Sequence, residues 1–193
     1  MEDAILKRFK ESAEAKTRFL KGNLPQLLDA IKLVAQALEA GNKLFLFGNG
    51  GSAADAQHLA AEFVNRYIMN RPPLPAIALT TDTSILTSIS NDFAFDEIFA
   101  KQLKALGKKG DVAIGISTSG NSPNIIKAIE VAKEMGMRTV ALTGNDGGGL
   151  AKVAEISLIV PSNSTPCIQE THILIGHILC EMAEHQIFLK ENP

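Results

Sequence analysis

The chain has 193 residues, of which 46% are hydrophobic and 21% are charged. This composition is typical of a globular protein and excludes a collagen-like or wholly disordered chain. With 19 basic and 21 acidic residues the net charge is −2, which argues against nucleic acid as the main ligand.

Two further features bear on the compartment of the protein. No apolar run approaches the roughly 18 to 20 residues that span a bilayer, and the first residues lack the pattern of a signal peptide. The two cysteines, Cys167 and Cys180, do not form a CxxC pair. We therefore expect a soluble, cytoplasmic protein with no membrane partner.

The first forty residues carry helix formers and no strand signal. Residues at helical spacing recur over 5–16 and again over 27–38. Asn23 is a plausible N-cap with Pro25 in the first turn that follows, and Gly41 is a suitable end. The pattern predicts two amphipathic helices in an N-terminal extension, residues 1–40, preceding a body over 41–193 in a single domain, 1–193.

Beyond Gly41, short apolar strands alternate with helical patterns. The predicted strands are 43–47, 76–79, 112–116, 139–142 and 156–160. The predicted helices are 52–67, 95–106, 123–135, a short turn near Leu150, and 167–189. Continuous apolar strands separated by helices indicate an α/β fold, in which a five-stranded parallel sheet is flanked by helices.

A glycine-rich loop, Gly48-Asn49-Gly50-Gly51-Ser52, follows the first strand. Ser52 and Asp55 form a capping pattern, so we expect a helix to begin there. Three glycines allow a ligand to approach the backbone closely, but a tight turn explains the same residues. The loop is neither GxGxxG nor a P-loop, and its signal is weak.

A second loop, Ser117-Thr118-Ser119-Gly120-Asn121-Ser122, follows the third strand. Pro123 then opens a helix with Ser122 as its N-cap. Four hydroxyl groups cluster at a helix N-terminus, where free N–H groups and the helix dipole favour an anion. Because capping needs only one hydroxyl, we expect a phosphate here. A third loop, over 143–149, is equally well explained as a flexible connection, and no chemistry is assigned to it.

Ionisable residues on two helices suggest a metal site or an acid–base pair. His58 and Glu62 are four apart and share one helix face. The last helix carries Gln169, His172 and His177. Spacing alone would choose Gln169 with His172, and a solvated pair or a core histidine explains the same residues.

Four motifs together resemble those of the bacterial phosphoheptose isomerases. They are Phe47-Gly48-Asn49-Gly50-Gly51-Ser52, Asn91-Asp92-Phe93-Ala94-Phe95, Gly115 to Ser122, and Ile168-Gln169-Glu170. These enzymes belong to the sugar-isomerase, or SIS, domain group, and the resemblance covers nearly the whole chain.

The resemblance implies an aldose–ketose isomerase that converts sedoheptulose 7-phosphate to D-glycero-D-manno-heptose 7-phosphate, the first step toward lipopolysaccharide core heptose. It also implies a homotetramer, with the terminal helices forming the oligomer bundle, and one zinc ion per subunit. The implied zinc ligands are His58, Glu62, Gln169 and His177. The implied substrate-binding residues are Asn49, Gly50, Gly51, Ser52, Glu62, Asn91, Asp92, Ser117, Thr118, Ser119, Ser122 and Gln169.

Glu62 and His177 are also the implied acid–base pair. We expect Glu62 to take a carbon-bound proton, and His177 to serve the oxygens of an enediol or to return the proton. Two alternatives stay open: a regulator with the same fold and no turnover, such as a DnaA-associating replication-initiation protein, and an isomerase for another phosphosugar.

Overall fold

The computed structural model describes residues 1–189. The helices are α1 (Glu2–Glu39), α2 (Gly51–Val64), α3 (Thr83–Asp92), α4 (Ile98–Leu106), α5 (Pro123–Glu134), α6 (Leu150–Val153) and α7 (Thr165–Phe188), with a 3-10 turn at Phe95–Glu97. The strands are β1 (Leu44–Gly48), β2 (Ala76–Ala78), β3 (Val112–Ser117), β4 (Arg138–Gly144) and β5 (Ile156–Val160). All five predicted strands form, and the predicted fold class is confirmed.

The strands pair in parallel in the order β2-β1-β3-β4-β5. From β1 the chain crosses over α2 to β2 on one side, whereas β3 lies on the other side of β1. The strand order therefore reverses between β1 and β3. In open parallel sheets this is where ligands bind, beyond the carboxyl ends of the strands. The topology thus places the loops after β1 and β3 side by side.

Alternate residues of each strand face two different helical layers. Leu44 and Leu46 pack in a core shared with α1, α2 and α7. Phe45 and Phe47 point the other way, into a core shared with α4, α5 and α6. Burial on both faces explains why the strand sequences are continuously apolar rather than alternating. Within residues 1–189, no helix combines the length and apolar character needed to cross a membrane.

The prediction of two N-terminal helices is wrong, since α1 is one helix of 38 residues. Pro25 lies inside it and removes one N–H from the backbone hydrogen bonds. Phe19 and Leu27, on either side of Pro25, are both buried. α1 packs along α7 and β5 through this region. Tertiary packing carries the helix through the proline.

Asn23 is not an N-cap but an interior residue of α1 that faces the edge strand β5. Its Nδ2 donates to the Ile159 carbonyl over 3.2 Å, and its Oδ1 accepts from the Ile159 N–H over 3.3 Å. A single side-chain amide therefore satisfies both backbone groups that Ile159 turns toward α1.

Two other predictions of local structure differ from the fold. α2 begins at Gly51 with Gly50 as N-cap, not with a Ser52–Asp55 capping pattern, and it ends at Val64. α3 was not predicted, and all of its residues are at least partly exposed. Its three apolar residues, Ile85, Leu86 and Ile89, lie at helical spacing, but they stand among Ser, Thr, Asn and Asp, which favour caps and turns or are weak helix formers.

Candidate active site

The serine-rich loop joins β3 to α5 as predicted. Ser122 is the N-cap of α5 and Pro123 occupies the first turn. The Ser122 hydroxyl does not cap the helix, because its Oγ lies 3.0 Å from Ser117 Oγ and pairs with it. Ser117 is buried at the end of β3, whereas Ser119 is exposed. The loop thus combines hydroxyl groups with the N-terminus of a helix, which is an arrangement that binds anions.

The third loop, residues 143–149, packs directly against the serine-rich loop. Asn121 Oδ1 accepts from the Gly149 N–H over 2.9 Å, and Asn145 Nδ2 donates to the Thr118 carbonyl over 3.2 Å. Gly120 has φ +67°, and a Cβ built on it would lie 2.1 Å from the Gly147 carbonyl oxygen. The two backbones touch so closely that the third loop holds the shape of the serine-rich loop rather than connecting freely.

The glycine-rich loop after β1 is tied to the same place. Asn49 and Asn124 exchange two side-chain hydrogen bonds of 2.9 Å each. Asn124 lies in the first turn of α5 and is 1% exposed. Asn124 was not among the predicted site residues, and its only signal in the sequence is a polar residue next to Pro123. These two hydrogen bonds join the loops that follow β1 and β3, where the strand order reverses.

Ser52 differs from the other residues of this loop because it is buried, with 3% of its surface exposed. Its N–H donates to the Asn49 carbonyl over 3.0 Å, so it stabilises the turn. Gly50 and Gly51 are exposed. A substrate contact from Ser52 stays a prediction.

A close crossing of α2 and α7 brings the ionisable residues together. A Cβ built on Gly176 would lie 2.4 Å from the Leu59 methyl carbons, so the helices approach this closely only because residue 176 is glycine. His58 precedes Leu59 and His177 follows Gly176. Their Nε2 atoms lie 2.9 Å apart, and Glu62 Oε1 lies 3.4 Å from His58 Nε2.

The chemistry of these three side chains fits a metal ion. One ligand atom from each of His58, Glu62 and His177 falls within 4.8 Å of the other two. Two imidazole Nε2 atoms at hydrogen-bond distance need a proton or a cation between them. Imidazole nitrogens and a carboxylate oxygen are a donor set that zinc and similar divalent metals prefer.

Gln169, the fourth predicted ligand, lies near the amino end of α7, the helix that also carries His177. A Cβ built on Gly51 would be 2.6 Å from Gln169 Nε2, so its amide sits against the first turn of α2. Gln169 therefore links α7 to the glycine-rich loop. Through Asn49 this contact continues to α5 and the serine-rich loop.

His172, which spacing alone would have chosen, does not join the group. It is fully buried and its Nε2 bonds to the Thr143 carbonyl over 2.9 Å. Burial lowers the pKa of His172 to about 4, although the bond to Thr143 acts in the opposite direction. His172 and His177 are five residues apart on α7, so they point to different sides of the helix. His172 faces β4, whereas His177 faces α2.

Two neighbours of the group were not predicted. Asp55 lies one turn before His58, and burial raises the pKa of its carboxyl while His58 and His177 act to lower it. Tyr67 stacks on His177 with ring centroids 5.1 Å apart and an interplanar angle of 21°. Burial and the nearby Glu181 raise the pKa of Tyr67. Tyr67 is a long-range neighbour of His177 that no local spacing reveals, whereas Asp55 is three residues from His58 on the same helix.

Asn91 and Asp92 form the end of α3. Asn91 Nδ2 donates to Asp92 Oδ1 over 2.8 Å, and both residues are exposed. Their assignment to substrate binding stays a prediction.

Residues 8–144 match the family model of the SIS domain. A phosphoheptose isomerase of Geobacter sp. (strain M21) is 59% identical over 174 residues, which cover 90% of this chain and 91% of the relative. One from Thermodesulfovibrio yellowstonii is 52% identical over 188 residues, covering 97% and 94% of the two chains.

A solved structure shows the same likeness in three dimensions. Phosphoheptose isomerase GmhA from Neisseria gonorrhoeae superposes with a TM-score of 0.90 at 45% sequence identity. The superposition covers 95% of this chain and 98% of that one. The agreement therefore extends over the N-terminal helix as well as the sheet.

Proposed function

The chain belongs to the SIS-domain phosphoheptose isomerases, and we propose that it interconverts sedoheptulose 7-phosphate and D-glycero-D-manno-heptose 7-phosphate. Isomerase activity on a heptose phosphate follows from relatives that are more than half identical over nearly the full length of both chains. The same relatives do not favour the alternative of a regulator without turnover. The observation in the molecule that carries the proposal is the convergence of His58, Glu62 and His177.

The substrate phosphate binds at the serine-rich loop in this proposal. Ser117, Thr118, Ser119 and Ser122 offer hydroxyl groups at the N-terminus of α5, and the helix dipole favours negative charge there. Neutral donors suffice because the phosphate charge is met by several aligned dipoles. Asn49, Gly50, Gly51 and Asp92 contact the sugar. Fixing the phosphate holds the other end of the substrate in one orientation, which is a large part of catalysis.

Proton transfer is assigned to Glu62 and His177. Isomerisation moves a hydrogen between C1 and C2 through an enediol, so it needs a base at carbon and a proton donor at oxygen. Glu62 takes the proton from C1, His177 exchanges protons with the two oxygens, and the proton then returns to C2 of the enediol. The half-buried position of both residues supports these roles, since partial exclusion of water strengthens their interaction with a substrate.

We assign the metal as one zinc ion per subunit, held by His58, Glu62, Gln169 and His177. When bound, zinc would supply positive charge beside the oxygen that becomes negative during the reaction. The donor set and the facing Nε2 atoms of His58 and His177 support this assignment. Metal analysis of the purified protein checks it, with an expected content of one zinc per chain.

A homotetramer in the cytoplasm completes the proposal. Ile5, Leu6 and Phe9 of α1 are more than half exposed, and Leu174 of α7 is 40% exposed. Exposed apolar side chains of this size favour contact with further copies of the chain. Light scattering coupled to size-exclusion chromatography measures the mass directly. Free Cys167 and Cys180 are compatible with a reducing compartment.

The deciding experiment incubates the purified protein with sedoheptulose 7-phosphate and follows formation of the aldose phosphate by NMR. We expect turnover, and lower turnover with hexose and amino-sugar phosphates offered at the same concentration. No turnover with or without added zinc would overturn the proposal. Faster turnover of a hexose phosphate would reassign the substrate while keeping the reaction type.

A further inference from the structure

A buried ion pair joins α7 to the segment that follows α2, and these two helices carry His58, Glu62 and His177. It has no role in the mechanism given above. Arg71 Nε and Glu184 Oε1 are 2.8 Å apart, and each side chain is 1% exposed. Burial of two charges is costly unless their remaining donors and acceptors are also matched. Both side chains also form hydrogen bonds to backbone groups of α2 and of the segment that follows it.

Glu184 fixes the segment that follows α2. Its two carboxylate oxygens accept N–H groups from three consecutive residues, Tyr67, Ile68 and Met69, over 2.9, 3.3 and 3.1 Å. Glu184 lies on α7, so these bonds fasten residues 67–69 to the helix that carries His177.

Arg71 fixes the carboxyl end of α2. Its Nη2 donates to the Glu62 carbonyl over 2.9 Å, and its Nη1 donates to the Phe63 carbonyl over 2.6 Å. Carbonyls in the last turn of a helix have no partner within the helix. Arg71 therefore supplies the missing donors at the residue assigned as the base.

The two sets of bonds reach the proton-transfer groups by separate routes. Through Arg71 the pair holds the backbone of Glu62. Through Glu184 it holds Tyr67, whose ring stacks on His177 at 5.1 Å, while His177 in turn meets His58 edge to face at 5.2 Å. One ion pair therefore contacts both the backbone of Glu62 and the residue that stacks on His177.

We propose that Arg71 and Glu184 are positioning residues of the isomerase reaction, which hold Glu62 and His177 at a fixed separation. This inference rests on the proposed function. Removal of one partner lets the turn of Glu62 and the ring of Tyr67 move independently. The expected loss is in kcat rather than in KM, because the serine-rich loop that binds the phosphate lies elsewhere.

The test compares Glu184→Gln with Asp111→Asn. Asp111 is a matched control because it is also fully buried, accepts two backbone N–H groups, from Lys43 and Lys108, and pairs with Lys43 Nζ at 3.0 Å. It lies at the amino ends of β1 and β3, away from the site. We expect both variants to lower Tm. Only Glu184→Gln should lower kcat, by about 10-fold or more with KM changed less than about 3-fold.

A second pair of variants covers the case in which Glu184→Gln does not fold. Tyr67→Phe keeps the ring on His177 and should keep kcat, whereas Tyr67→Ala removes the ring and should lower it about 10-fold. An unchanged kcat in a folded Glu184→Gln, or in Tyr67→Ala, would overturn the inference. Wild-type protein in the same assay separates the two proposals: if it is inactive the proposed function fails, and if it is active the result bears on positioning alone.

Discussion

The two ends of the sheet treat their buried polar groups differently. At the amino ends of β1 and β3, Asp111 is fully enclosed and accepts the N–H groups of Lys43 and Lys108 together with the Lys43 ammonium. At the carboxyl ends, three buried polar atoms of the described chain have no partner: Asp55 Oδ2, Thr143 Oγ1 and His172 Nδ1. An unpaired buried polar group costs about 1–3 kcal/mol, so these three groups do not stabilise the fold as the Asp111 network does.

This difference in hydrogen bonding suggests that one end of the sheet serves folding and the other serves ligand binding. A closed network such as that of Asp111 contributes to folding and offers nothing to a ligand. The other end keeps hydroxyl groups, amides and imidazoles near one another without using all their hydrogen bonds. Substitutions at the amino end should therefore change stability, and substitutions at the carboxyl end should change activity.

Glu62→Gln should give the largest effect. The amide keeps the shape of the side chain but does not accept the carbon-bound proton, so kcat should fall about 10²- to 10⁴-fold. Thermal unfolding of the variant should match wild type, since Glu62 is only partly buried. The measurement is single-turnover formation of the aldose phosphate. Full activity would remove Glu62 from proton transfer.

Gly120→Ala and Gly110→Ala compare the two ends directly. Both glycines have positive φ, +67° and +91°, so the backbone strain of alanine alone should cost about 1–2 kcal/mol at either site, and the clash at Gly120 adds to this cost. At Gly120 the new Cβ also meets the Gly147 carbonyl at 2.1 Å, which displaces the serine-rich loop. We expect kcat/KM to fall about 10²-fold for Gly120→Ala and to be unchanged for Gly110→Ala. Equal kinetic losses would contradict the division between the ends.

His172 should make the carboxyl end sensitive to acid. Its folded pKa is about 4, whereas the unfolded side chain titrates near 6.5. Between these values only the unfolded chain takes up the proton, so stability is lost as pH falls below about 6.5. The loss should reach about 2 kcal/mol at pH 5. Urea unfolding of wild type and His172→Gln at pH 7 and pH 5 measures the difference, and an equal loss in both would contradict the assignment.

Gly51→Ala should give the smallest effect. Its Cβ would meet only the flexible end of Gln169, so stability should change by less than about 0.5 kcal/mol. Displacement of that amide should lower kcat/KM about 3- to 10-fold. Gly22→Ala is the control, because a Cβ there meets nothing within 4 Å. Because alanine is the better helix former, Gly22→Ala should keep full activity, and an equal loss in both variants would show that the Gln169 contact is not the cause.

The sheet was predictable because its determinants are local. Each strand from β1 to β5 is a short apolar run between turn residues, and such runs are read directly from the sequence. α1 and α3 were not predicted correctly for opposite reasons. Packing on α7 and β5 carries α1 past Pro25, whereas α3 has only three apolar residues among polar ones that favour caps and turns.

The site was only partly predictable. The serine-rich loop was predictable from its own hydroxyl groups and Pro123, and the pairing of His58 with Glu62 was predictable from their spacing of four residues. The partner on α7 does not, since spacing favoured His172, and only the family resemblance indicated His177. Gly176 was the available signal, because a glycine inside an apolar helix marks a close approach. Arg71 and Glu184 are 113 residues apart, and no local pattern joins them.

The side chain of Asn23 has a consequence for the outer edge of the sheet. The outer edge of β5 would otherwise present an open peptide group, to which a strand from another molecule would add. An amide from α1 imitates the peptide of a sixth strand and ends the ladder there. The same residue that breaks the expected helix boundary thus pairs the part of the sheet edge to which another strand could otherwise add.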